Sequence, residues 1–135
     1  SFSYVDFPCY VTRAFIILKL DKVNLKYVLG LLNSNIMHFW LRNKGKLQGD
    51  QLQIDKEPLL DLPIYIADEA SQKLIISYVD KIILLNKEFH DVEENSNEWE
   101  RLKSEIGRTD KKIDEEVYKL YGLTEEEIKT VEGEN

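Results

Sequence analysis

Two histidines, a single cysteine and a scatter of carboxylates would have to carry any covalent or acid–base chemistry in this chain of 135 residues. A nucleophile must sit beside a base. Cys9 falls in an extended-looking segment, whereas His38 and His90 fall in helical patterns far from it and from each other. No G-x-S-x-G or cysteine-protease signature occurs, so Cys9 reads as a small buried hydrophobe. Metal binding is no better supported. Asp50, Asp55 and Glu57 could gather around a Mg ion, but such spacings arise readily by chance, and H-E-x-x-H, C-x-x-C and Ca-loop patterns are absent. The tripeptide Glu127-Ile128-Lys129 has the local form of a nuclease acid–lysine pair. It sits in a short helical pattern with no partner aspartate on a strand, and reads as a solvated helix face. Gly45 and Gly49 are not placed on a strand-to-helix turn, so they make no phosphate cradle. No catalytic residue and no metal ligand is assigned.

The stretch 42–56 carries a different chemistry. Arg42, Lys44, Lys46 and Lys56 could each neutralise one phosphate of a nucleic acid. Asn43, Gln48, Gln51 and Gln53 present paired donors and acceptors, which suit adenine edges in the major groove as arginine and lysine suit guanine. Gly45 and Gly49 would let the backbone come close to a duplex. The same composition also describes an ordinary solvated loop, and composition by itself favours that reading. The net charge of −7 speaks against nucleic acid, but the charge is uneven. Residues 1–66 hold eight basic and six acidic groups; residues 67–135 hold ten and nineteen. A polyanion would dock on the first part with the second facing away.

These residues need elements to place them. Tyr10 to Leu20 reads as one buried strand or two short ones. Asn24 caps a helix from Leu25 to about Arg42, with Leu25, Val28, Leu29, Leu32, Ile36, Phe39 and Trp40 on its apolar face and a bend at Asn33-Ser34-Asn35. Gln51 to Ile54 starts a short strand, and Ile64-Tyr65-Ile66 reads as a strand or an extended tail. Asp68 or Ser71 opens a helix carried by Leu74, Ile75, Tyr78, Val79, Ile82, Ile83 and Phe89. After a turn at 93–97, Trp99, Leu102, Ile106, Ile113, Val117 and Leu120 give a coiled-coil-like seam, so the two helices form an antiparallel hairpin. Gly122 ends the second helix, and Thr124 with Glu127 makes a capping box for a last short one. The fold expected is α+β: a small mixed α/β target-recognition lobe at 1–66, then a helical spacer or packing region at 67–135. One cysteine excludes an internal disulfide and fits a cytoplasmic protein. No apolar run reaches the ~18 residues of a membrane span. A chain opening on Ser1 reads as a fragment of a longer protein.

Three stretches carry a resemblance: Lys26-Tyr27-Val28-Leu29-Gly30-Leu31-Leu32-Asn33-Ser34; Asp61-Leu62-Pro63-Ile64 after the glycine-containing loop; and Ile113 to Ile128, with Tyr118-Lys119-Leu120-Tyr121-Gly122-Leu123-Thr124 at its centre. In this order they resemble the TaqI-like C-terminal specificity domain of adenine-specific type II restriction enzyme–methyltransferases, from about Phe15 onward. Type I restriction specificity subunits share a similar scheme. The resemblance implies a parent protein that binds S-adenosylmethionine and methylates the N6 amine of adenine, with Mg where an endonuclease is fused. The asparagine–proline–proline–aromatic motif of such a pocket is expected upstream and does not occur here, so this chain is expected to be non-catalytic and to hold no cofactor. Its partners would be duplex DNA and the upstream methyltransferase domain, which flips the target adenine. Base-contacting residues vary within the family and are not transferred; the choice of 42–56 rests on physics. The rivals are one half of a type I specificity subunit and a helical protein–protein interaction module at 68–121, dimerising through Trp99, Leu102 and Ile106.

Overall fold

The computed structural model describes residues 2–4, 23–44, 46–48, 51–53 and 61–133. Five helices dominate them: α1 (Leu25–Leu32), α2 (Asn35–Lys44), α3 (Glu69–His90), α4 (Asn97–Leu120) and α5 (Glu125–Glu132). Two three-residue strands, β1 (Lys46–Gln48) and β2 (Gln51–Gln53), pair antiparallel between α2 and the later helices.

Local signals explain most boundaries. The Asn24 side chain accepts from the backbone N–H groups of Lys26 and Tyr27 and so starts α1. Asp68 and Ser96 do the same for α3 and α4. Thr124 and Glu127 form a reciprocal capping box on α5. The bend expected at Asn33 to Asn35 is a full break between α1 and α2. At the end of α4, Gly122 takes a left-handed φ of 64° and the Leu123 N–H reaches back to the Tyr118 carbonyl, which satisfies orphan carbonyls of the last turn.

α3 and α4 form a long antiparallel hairpin, with Phe89 stacked on Trp99 at 5.4 Å near its tip. α1 lies across α3 at the other end. The core there combines Tyr27, Val28, Leu31 and Leu32 of α1 with Ala67, Ile75 and Val79, and with Ile113 and Val117 of α4. The α4 seam contains Leu102, Ile113 and Val117 as expected, and also Thr109 and Tyr118. Thr109 is tolerated because its hydroxyl donates to the Glu105 carbonyl within the helix. Leu102 is fully buried and Trp99 is engaged with Phe89 and Lys103, so two of the three residues offered for dimerisation are taken up within the chain, while Ile106 is partly exposed.

The α+β fold class is not found. The described residues are helical, and one hairpin of three-residue strands does not make a sheet layer. The strand expected at Tyr10 to Leu20 lies outside the described residues. The other expected strand, Ile64 to Ile66, pairs with no strand, for a specific reason. The Tyr65 N–H donates to the Tyr121 hydroxyl at 3.0 Å, and the Tyr65 carbonyl accepts from the Tyr27 hydroxyl. Tyr121 in turn donates to the Pro63 carbonyl. Two phenols take the bonds that a neighbouring strand would have supplied, and residues 61–68 become a strap laced across the helices.

The strap gives a direct test. Tyr27→Phe leaves the ring in the core and removes one hydrogen bond to a partly buried carbonyl, a loss of about 1–1.5 kcal/mol. For a domain of this size the melting temperature should fall by roughly 5 °C. An unchanged melt would mean that packing alone holds the strap.

Candidate nucleic-acid interface

The sequence-derived site residues fall into three groups. Arg42, Asn43 and Lys44 form the exposed last turn of α2. Their positive charge lies at a helix C-terminus, where the partial negative charge of the carbonyls favours it. The Asn43 side-chain amide donates to the Phe39 carbonyl at 2.8 Å, so that group is turned onto its own helix. Lys46, Gln48, Gln51 and Gln53 lie on the hairpin that follows. Its register sets Lys46 opposite Gln53 and Gln48 opposite Gln51, with Leu47 opposite Leu52 between them. Strand alternation therefore puts the four polar residues at positions of one face and the two leucines at positions of the other. Lys56 lies outside the described residues. Seven of the eight residues thus belong to one continuous feature, a helix end running into a hairpin.

What fixes this feature is α2. Met37 and Leu41 are buried against α4 and α5, and every charged side chain of α2 is on the exposed side. At its other end the Asn35 N–H donates to Asp114 Oδ1 of α4 at 2.8 Å. The Tyr118 hydroxyl donates to Glu132 of α5 at 3.2 Å, and the Asn35 side chain lies close enough to offset part of the effect of burial on that phenol. Burial pushes the Asp114 carboxyl up to about 6; the Asn35 N–H opposes this, and the charges of Asp110 and Glu132 add to it. Burial likewise pushes Tyr118 up to about 12. The role of Asp114 and Tyr118 was not read from the sequence. The available signal was a polar and an aromatic residue at i and i+4, each directly following a seam residue, Ile113 and Val117.

The three stretches that carry the family resemblance meet in space. Tyr27 of the first and Tyr121 of the third both bond the strap at and after Pro63 of the second. Asn33 pairs through its side chain with both backbone groups of Phe2, at 2.8 and 2.9 Å. Residues 1–64 match the family model of the TaqI-like C-terminal specificity domain. The match spans a little under half of the chain of 135 residues. No curated protein and no solved structure matches the chain. The TaqI-like segment includes α1, α2, the hairpin and the start of the strap; α3, α4 and α5, with the stretch from Ile113 to Ile128, lie beyond the match. A specificity domain of restriction–modification enzymes is not itself catalytic. Among the described residues no group of three or more His, Cys, Asp or Glu could hold a metal ion, and no helix is long and apolar enough to cross a membrane.

Asp114 carries a pH signature with a definite sign. Its folded-state carboxyl titrates near 6, above the ordinary value of 3.8, so the folded protein holds a proton that the unfolded chain gives up. Stability from this group therefore falls as pH rises from about 4 to about 6 and stays reduced above. Asp114→Asn removes the titration and keeps an acceptor for Asn35. Each pK unit is worth about 1.4 kcal/mol before solvent screening; with this carboxylate partly solvated, the variant should gain about 1–2 kcal/mol at pH 8. The gain should vanish near pH 4. Denaturant melts at the two pH values check this, and an equal gain at both would refute it.

Proposed function

We propose that this chain is the sequence-recognition part of a restriction–modification adenine-N6 DNA methyltransferase, with or without a fused endonuclease. Its work is to grip duplex DNA and select the sequence, while a catalytic domain supplied elsewhere binds S-adenosylmethionine and acts on the flipped adenine. Where an endonuclease is fused, Mg belongs to that domain. A cytoplasmic location goes with this reading.

The match of residues 1–64 to the TaqI-like specificity domain carries the proposal. The surface supports it. Arg42 and Lys44 stand exposed at a helix end, and the hairpin after them places Lys46, Gln48, Gln51 and Gln53 at positions of one face. Cations contribute sequence-independent affinity, and side-chain amides can contribute choice between bases. The acidic residues concentrate after residue 66, on the part of the chain that would pack against the rest of the enzyme.

Selection from random duplexes tests the reading. The chain should enrich a defined motif, and its affinity should fall steeply as salt rises. Gln51→Ala or Gln53→Ala should change the enriched motif more than the affinity for bulk DNA. Enrichment of no motif, with no salt-dependent binding, would sink the proposal.

A further inference from the structure

We propose that Asp114 and Tyr118, one turn apart on α4, are positioning residues that clamp Asn35 and thereby fix α2, with the cationic helix end and hairpin it carries. The functional half of this inference rests on the DNA-binding reading above; the structural half does not.

α2 lacks a cap of its own. A helix of ten residues is too short to persist unaided, and its first N–H groups need acceptors. Ser34 stands where a capping side chain belongs, since its carbonyl accepts from the His38 N–H. Yet the Ser34 side chain is buried and donates backwards, to the Leu31 carbonyl. The capping acceptor for Asn35 comes instead from 79 residues away, as Asp114 Oδ1 at 2.8 Å. Tyr118 stands beside the Asn35 side chain, which acts on its hydroxyl, and that hydroxyl is anchored from behind by its bond to Glu132 at 3.2 Å. The break at Asn33 and Ser34 leaves α2 free of the α1 axis, so the angle between them is set by this clamp and by the burial of Met37 and Leu41. The segment beyond the TaqI-like match is therefore the frame that aims the specificity segment, in addition to completing its core.

The charged and titratable groups around Asp114 are Asp110, Lys111, Glu115, Tyr118 and Lys119 of α4, Lys87 of α3, Glu132 of α5 and Tyr4 near the start of the chain. Among the described residues, α1 and α2 present no charged side chain to the two cavities that Asp114 lines. Asp110 and Glu132 act on its carboxyl through their charge, and the Asn35 N–H is its hydrogen-bonding partner.

The test uses the whole chain as wild type, Asp114→Asn and Asp114→Ala, with two readouts. The first is the NMR shift of the Asn35 amide proton through a pH titration. In the wild type it should follow a carboxylate with a midpoint near 6. In Asp114→Asn that step should be absent. The second is binding to a duplex of the enriched motif. Asp114→Ala should weaken binding by about five- to tenfold, the weight of a lost helix cap. Asp114→Asn, which keeps the acceptor, should stay within about twofold. An Asn35 amide that does not titrate overturns the clamp, and so does an Asp114→Ala chain that binds as the wild type. Should Asp114→Ala fail to fold, the Asn35 titration in the wild type against Asp114→Asn still decides. A titrating Asn35 in a chain that binds no duplex upholds the clamp and refutes the DNA-binding reading instead.

Discussion

Lys44→Ala combined with Lys46→Ala should reduce duplex affinity by roughly fifty- to a hundredfold at 0.1 M salt and lower the slope of log affinity against log salt by about two units at most. Each cation on a phosphate contributes a slope of about 0.9 through counterion release, so over one decade of salt below 1 M two contacts amount to nearly two decades of affinity. Lys44 is exposed in the last turn of α2, and Lys46 opens the hairpin two residues on. Cations so close in sequence on one feature act on neighbouring phosphates if the feature faces DNA. Because the chain as a whole is at −7, general attraction does not mask the loss. The control is Lys73→Ala with Lys119→Ala. Both are well-exposed lysines, paired to Glu69 and Glu116 on α3 and α4, beyond the TaqI-like segment. They remove the same total charge and should change affinity by less than about threefold, as exposed pairs of little energetic weight. Equal effects from both doubles would mean that only net charge matters and that the helix end and hairpin are not the contact.

The parts of this architecture legible in the sequence are those whose cause is local. Asn24 before an apolar period, Asp68 before another, and Thr124 three residues ahead of Glu127 each announce a helix start within a single turn. The weak helix formers Asn33, Ser34 and Asn35 announce the break. The cationic end of α2 is equally local, because Arg42 and Lys44 follow its last buried residue, Leu41. The strap misleads for a physical reason. Ile64-Tyr65-Ile66 has strand composition, but what a backbone does depends on where its N–H and carbonyl find partners. Here those partners are phenols 38 and 56 residues distant. The clamp on Asn35 was illegible for the same reason. Asp114 sits in a run of three acids that reads as a solvated face, and only the packing of α2 on α4 turns one of them inward. A pattern of apolar residues specifies which faces meet. It says little about which polar side chain at the edge of a face reaches across.

Two glycines in helices should respond to substitution with opposite signs, and the difference lies wholly in what stands opposite them. A methyl group built on Gly30 would come within 2.7 Å of Ile75 Cγ2 and 3.1 Å of Val79 Cγ2, because α1 crosses α3 at closest approach there. Gly30→Val should therefore cost about 3 kcal/mol or more, as overpacking of a close-packed crossing outweighs the gain of about 1 kcal/mol from leaving glycine in a helix. The melting temperature should drop by roughly 10 °C. The position also lies in the stretch Lys26 to Ser34 within the TaqI-like match, and in this chain the close crossing leaves no room there for a side chain. Gly107 is the counterpart. A methyl group there meets nothing within 4 Å, and α4 runs unbroken through it. Gly107→Ala should stabilise the protein by up to about 1 kcal/mol. Thermal melts of the two variants separate the explanations. A loss at Gly107 as well would mean that α4 is held against an unseen neighbour on that side. Tolerance of valine at Gly30 would mean that α1 stands farther from α3 than this crossing allows.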